Sequence, residues 1–301
     1  MTTAASRILP SEDEYASLVP RPGSVTWRKA SDIRLSSCSG YALLLQVAHP
    51  TVGAGVSQFS HYRSDPWGRL MRTLDYVHGT IYGGPEFAGE IGRRVREMHR
   101  GFRGVRKDGT RYSAFEPDAY AWVHATLASS IVDGHRLFGA PLTGAEQIEF
   151  WGEWRRLGRL VGVRYRDLPE DWSEFRPYFD HTVEHVLENT QAVKDLLYSL
   201  SRPSPPPGVS GRTWRVAAPA LAGQGRLVTA GMLPPLLRER FGVRWGPGQA
   251  AAFKALGAAS RASGPLLPRQ MRELGPWHLR QRRDTLARAY DAAPRASAAS
   301  P

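Results

Sequence analysis

Three histidines pose the chemical question in this chain. His49, His99 and His124 each lie among apolar residues at helical spacing, as in Val95, Met98, His99 and Phe102 or Tyr120, Val123, His124 and Leu127. A lone histidine on such a face is usually a core residue bonded to a backbone carbonyl. Three on separate apolar helix faces can also share a site, because neutral imidazole is the commonest metal ligand and tolerates an apolar pocket. One imidazole in such a pocket suits a haem iron. A second constellation is Arg69, Arg72, Thr73 and Tyr76, which recur at i, i+3, i+4 and i+7 and so share one arc of a helix. That strip is either a solvated face or the wall of an anion pocket. Guanidinium groups there could pair bidentately with carboxylates such as haem propionates.

Other candidates are weaker. His181 and His185 stand i, i+4 beside Asp180 and Glu184 and could hold zinc or non-haem iron, but no third ligand follows at a recognisable spacing. Without the HExxH glutamate a surface role is the simpler one. Cys38 is the only cysteine, which excludes an intrachain disulfide and a multi-cysteine zinc site. It lies in Ser36–Gly40, a loop-like approach to a helix and a poor place for a thiolate ligand. No GxGxxG follows a strand and no GxxxxGK[ST] occurs. Gly55-Val-Ser57 is not a nucleophile elbow.

The elements that must position these residues are helices. Tyr41–Ala48 is apolar almost all round, the mark of a helix buried all round, and Pro50 disturbs it. Gly53 and Gly55 then permit a bend, and 57–64 is a polar connection. Asp65-Pro66 is a helix start, and the stripe Leu70, Leu74, Val77, Ile81 runs to Gly83-Gly84. The next helix carries Phe87, Ile91, Val95, Met98, His99 and Phe102 on its buried stripe, with Arg93, Arg94, Arg96 and Glu97 elsewhere. Lys107-Asp-Gly109 is a turn between two short strands, and Glu116-Pro117 opens another helix. Thr143-x-x-Glu146 is a capping box ahead of Ile148, Trp151, Trp154, Leu157 and Val161. A helical stretch over 171–200 should kink or split near Pro177. The Pro-rich run 201–210 is linker-like, and helix-like stretches follow at 214–221, 231–240 and 248–263.

These features predict an all-α fold, a single and mostly antiparallel multi-helix domain over residues 21–290. Residues 1–20 should be loose and 291–301 a disordered tail. The formal charge is +12, mostly arginine and spread over the chain, which favours anionic contacts without marking a nucleic-acid motif. The N-terminus lacks a signal peptide, and the run Tyr41–Val56 is short of the ~20 residues a membrane span needs. A cytoplasmic protein is expected. The sequence leaves the oligomeric state open.

Several stretches together resemble a known family. Ala42-Leu-Leu-Leu-Gln-Val-Ala-His-Pro50 and Ser64-Asp-Pro-Trp-Gly-Arg-Leu-Met-Arg-Thr-Leu74 lead. Val95-Arg-Glu-Met-His99, Ala121-Trp-Val-His-Ala-Thr-Leu127, Phe138-Gly-Ala-Pro-Leu142 and Gly231-Met-Leu-Pro-Pro235 follow in order, so that the likeness runs from about residue 35 to 275. They look like the oxygenase family of fungal MpaB and the bacterial latex-clearing proteins. The resemblance implies an all-α fold enclosing a b-type haem, which binds dioxygen and oxidises a small apolar, isoprenoid-like or lipid-like substrate. By the order of motifs it implies His99 as the iron ligand and places Arg69, Arg72 and Thr73 in the haem pocket. Arg69 and Thr73 would then anchor a propionate or stabilise bound oxygen, with His124 and His49 lining or supporting the pocket. Two departures count. Rubber-cleaving members have a lysine where this chain has Arg72, and arginine stays charged and cannot coordinate iron. No acidic residue occurs in 53–60, where those enzymes place a glutamate. Polyisoprene cleavage itself is therefore not expected. The competing readings are a basic helical nucleic-acid-binding protein without catalysis and a non-haem metal enzyme built on His181 and His185.

Overall fold

The computed structural model describes residues 14–60 and 64–291. Proline at the first helical turn, where its missing N–H costs nothing, opens several helices in succession. The order is α1 (Tyr15–Leu18), α2 (Val25–Lys29), a 3-10 turn (Ile33–Cys38), α3 (Ser39–Ala48), α4 (Pro50–Phe59), α5 (Pro66–Tyr82) and α6 (Pro85–Arg100). A hairpin of β1 (Arg103–Val105) and β2 (Arg111–Ser113) pairs Gly104 with Tyr112 in antiparallel register. Then come α7 (Pro117–Phe138), α8 (Gly144–Val161), α9 (Trp172–His185), α10 (Gln191–Ser201), α11 (Gly211–Met232), α12 (Pro235–Arg240), α13 (Pro247–Ser263), α14 (Arg269–Arg272) and α15 (Leu274–Asp291). The class is all-α, as the periodicity predicts.

Local signals set the boundaries. Asp65 caps α5 through a bond from the Gly68 N–H at 2.8 Å. At α8 the capping box forms in both directions, between the Thr143 hydroxyl and the Glu146 N–H and between the Glu146 carboxylate and the Thr143 N–H. That helix ends at Gly162, which takes the left-handed conformation at φ 97° that a side chain would resist.

The core gathers around α3, α7 and α8. Trp122, Trp151, Trp154, Phe150 and Phe179 are fully buried there. Each buried indole N–H finds a backbone carbonyl: Trp122 donates to Leu45, Trp151 to Pro169 and Trp154 to His124. α3 is buried on all sides, with Leu44, Leu45 and Ala48 inaccessible to solvent. Among the described residues no helix is long and apolar enough to cross a membrane.

The structure departs from the sequence expectations in several places. Residues 14–20 are not loose: they form α1, and Leu18 and Val19 join the core. The remainder of the expected loose segment and the tail beyond 291 lie outside the described residues. α3 ends ahead of Pro50 as expected, with His49 extended, but Gly53 and Gly55 make no bend: Pro50 opens α4, which runs on through them to Phe59. Pro177 sits inside an unbroken α9, and the division falls instead at 186–190, where Thr190 caps α10. On α6 the expected stripe is rotated at its end: Met98 is 53 % exposed while Arg96 is buried and donates to the Leu160 carbonyl on α8. Ile148, expected in the α8 stripe, is 66 % exposed. The region beyond 274 forms α15, which packs on α5.

Candidate functional site

The motif helix α5 forms one wall of a cavity of about 230 Å³. Much of its apolar lining comes from Leu43 and Val47 on α3, Leu70, Leu74 and Val77 on α5, Leu127 and Ile131 on α7, and Leu196 on α10, with Val56 of α4, Trp154 of α8 and Leu274 of α15 adding to it. A few polar groups are set into it, among them Arg69, Thr73 and His78 from α5 and Gln46 from α3. Gln46 donates to the Thr126 hydroxyl at 3.1 Å, so this buried amide is held from behind. Thr73 donates to the Arg69 carbonyl one turn back, at 3.0 Å. An apolar cavity with few convergent polar groups is the usual form of a small-molecule site.

The expected site residues do not all meet here. Arg69 and Thr73 line the cavity together. Arg72 does not: its side chain is 62 % exposed and pairs with Asp65, the cap of the same helix, at 3.2 Å. Tyr76, the fourth member of the strip, is partly buried and also lies off the cavity wall. His124 is bonded into the core, its Nε2 donating to the Trp154 carbonyl at 2.8 Å and its ring stacked on that indole at 5.1 Å. Burial pushes its pKa down to about 4, against the pull of that bond, so the ring is neutral. His49 joins α3 to α4, away from the cavity wall. Burial pushes it down to about 4 as well, against the opposing pull of Glu116 and Asp118.

His99 lies at the end of α6, outside the cavity lining, in a cage of Phe102, Phe115 and Tyr120 whose ring centroids are 5.4, 6.4 and 5.6 Å away. A carbonyl can only accept, so Nδ1 carries the proton and donates it to the Val95 carbonyl at 2.6 Å. Burial holds the imidazole below its ordinary pKa, outweighing that bond. Nε2 is therefore the lone-pair nitrogen of a neutral ring. Metal-ligating histidines are built in this way, with the other ring nitrogen tied to a carbonyl or carboxylate. His99 would thus suit a metal such as haem iron through Nε2, and guanidinium and hydroxyl groups at Arg69 and Thr73 would suit carboxylate partners. The structure does not bring His99 and Arg69 to one shared hollow.

The other two candidates lose ground. His181 and His185 lie on one exposed turn with tilted rings 4.8 Å apart, and no group of three or more metal-ligating side chains occurs among the described residues. Cys38 is buried and off the cavity wall. Burial first, and the nearby Asp133 charge second, push its thiol up to about 12, so it is not a thiolate.

The cavity also contains a residue not singled out from sequence. His78 lines it, is buried, and has an unpartnered Nδ1. Behind it His278 of α15 meets its ring edge-on at 5.0 Å and donates from Nε2 to Asp75 at 2.9 Å. Arg282 grips the same carboxylate at 3.1 and 2.8 Å. Burial pushes Asp75 up, but the bonds from His278 and Arg282 outweigh it and hold the carboxyl below its usual range. His78 falls one turn beyond Leu74, so helical spacing alone sets it beside the apolar stripe, and its backing comes from some 200 residues later.

Residues 27–262 match the model of the family described as ER-bound oxygenase mpaB/B'/rubber oxygenase, catalytic domain. The chain belongs to this family. The match takes in α5 with Arg69 and Thr73, α6 with His99, and the walls that α3, α7 and α10 give the cavity. It stops short of α15, so His278 and Arg282 lie beyond it. No curated protein and no solved structure matches the chain.

Proposed function

We propose that this chain is an oxygenase that uses dioxygen to oxidise a small apolar substrate bound in the cavity beside α5, with haem b as its cofactor. The observation that carries this reading is the cavity itself: an apolar hollow in a chain of the mpaB and rubber oxygenase family, whose wall carries Arg69 and Thr73. His99 is the residue to hold the iron, since its Nδ1 is committed to the Val95 carbonyl and its Nε2 is not. Haem, when bound, supplies the capacity to bind and activate dioxygen.

The remaining work falls to the chain. Leu43, Val47, Leu70, Leu74 and Ile131 exclude water and accept hydrocarbon. Arg69 offers a permanent positive charge and Thr73 a hydroxyl beside it, suited to a polar oxygen of the substrate. His124 keeps Trp154, itself on the cavity wall, in place. Arg72 faces solvent and takes no part. The test is an absorption spectrum of purified protein with and without added haem. A Soret band is expected, lost in His99→Ala and retained in Arg72→Ala. A colourless protein after haem supply refutes the haem assignment.

A further inference from the structure

One polar group on the cavity wall has no task in the reading above. His78 is 5 % exposed, and among the described residues it makes no hydrogen bond. His99, His124 and His135 each have one nitrogen satisfied by a backbone carbonyl, of Val95, Trp154 and Lys29. His49 shares the unpartnered Nδ1 of His78, but it lies off the cavity wall, whereas His78 lines it. A buried polar nitrogen without a partner is costly, and one that faces a cavity can be completed by what the cavity holds. The ring is nonetheless held in place. His278 stands edge-on at 5.0 Å, anchored to Asp75, and the Tyr82 ring lies 6.0 Å away.

The cavity has two unlike ends. It follows α5 from Pro66 to His78. Nine residues separate Arg69 from His78, which is about 14 Å along the helix axis at 1.5 Å per residue. Leu70, Leu74 and Val77 fill the interval on α5, and Leu127, Ile131 and Leu196 face the cavity from other helices. The slot therefore runs from a guanidinium and a hydroxyl, past hydrocarbon, to an imidazole.

We propose that the slot binds an extended hydrocarbon chain ending in a hydroxyl, and that this hydroxyl is held by His78, at the end remote from Arg69. The inference rests on the reading that the cavity takes the substrate, and it names the substrate class. A hydroxyl both donates and accepts, so it completes Nδ1 in either tautomer. A carboxylate gains no guanidinium or ammonium partner at this end, since Arg69 is the permanently charged cation of the lining. It finds its cation at the Arg69 end instead.

The experiment measures binding, without turnover, of dodecanol, dodecane and dodecanoate to the full chain by displacement of a fluorescent fatty probe. Dodecanol should bind the wild type about tenfold more tightly than dodecane, the gain from completing one buried polar atom. His78→Leu should abolish that preference and leave dodecane binding in place. Dodecanoate should weaken in Arg69→Met and not in His78→Leu. Equal binding of dodecanol and dodecane to the wild type overturns the proposal without recourse to any variant, and so does a preference that survives His78→Leu. If neither chain binds, the cavity is not the substrate site and both the head-group assignment and the cavity reading fall. A Soret band in that same protein would still leave the haem assignment standing.

Discussion

Replacing Asp75 by asparagine tests whether a buried carboxylate clasps the C-terminal helix to the motif helix. Asp75 is 5 % exposed on α5 and receives three bonds from α15, one from His278 and two from Arg282. The His278 bond is fully buried, and a bond to a charged acceptor there contributes roughly 1.5–3 kcal/mol. The Arg282 side chain is 34 % exposed, so solvent screens its share to about 0.2–1 kcal/mol. Asparagine keeps the shape but turns an amide N–H₂ toward donors, leaving at least one of them unpaired. The expected loss at neutral pH is about 3 kcal/mol, a fall in Tm of roughly 6–12 °C for a chain of this order of size. Arg282→Ala should cost under about 1 kcal/mol. Since the folded carboxyl lies below its unfolded pKa, its contribution is complete above the ordinary carboxylate range and is lost as pH falls through the folded value. The gap between wild type and Asp75→Asn should therefore be widest near neutrality and close below about pH 4. Urea unfolding across pH measures it. A gap under about 0.5 kcal/mol at pH 7, or one that widens in acid, refutes the clasp.

Two further outcomes follow from burial and close packing. His49, His78 and His124 are all pushed down to about 4 by burial, so the unfolded chain takes up protons first as pH falls from about 6.5. Stability should hold above that value and fall toward pH 4 by up to about 1.4 kcal/mol per pH unit for each histidine, and His124→Phe should flatten the slope; a stability level from pH 6.5 to 4.5 would show that these rings are not buried and neutral. Gly92→Ala places a Cβ against the Leu160 carbonyl, a backbone atom that cannot rotate aside, where α6 meets α8. It should cost roughly 1–3 kcal/mol in denaturant unfolding, and a neutral result would mean the two helices part easily.

Much of the fold was legible because its signals are local. Asp65-Pro66, the Thr143–Glu146 box and the Glu116-Pro117 start each act within a turn of helix, and each sits where its spacing predicts. Pro177 misled because α9 runs on through it: it lies five residues beyond the helix start, where it forgoes one intrahelical bond without ending the helix. Arg96 and Met98 exchanged their expected places for a reason sequence alone does not carry. The Leu160 carbonyl on α8 offers the buried guanidinium a partner, and that partner is 64 residues away. The candidate site was half legible. Arg69 and Thr73 reach the cavity because periodicity sets them on its side of α5, but the same arc continued to Arg72, which a capping aspartate draws outward.

The geometry of α5 explains why its motif is readable and its histidine was not. The helix meets three different surroundings. Arg69, Leu70, Thr73, Leu74 and Val77 face the cavity. Gly79 and Gly83 lie against Phe87 and Ile91 of α6, where a larger side chain would not fit. Asp75 and Tyr82 turn to a third side, Asp75 to α15 and Tyr82 to α15 at Gly275 and to α2 through the Trp27 carbonyl. At 3.6 residues per turn His78 falls on the border between the cavity side and the α15 side. A border residue has an apolar neighbour in sequence and a polar one in space, so helical spacing assigns it to the core stripe. Only the docking of α15, with His278 held by a carboxylate one turn earlier on α5, shows the imidazole to be braced from behind and open in front. The cavity of this oxygenase-family chain is thus closed on one side by a helix that lies beyond the stretch matched to the family.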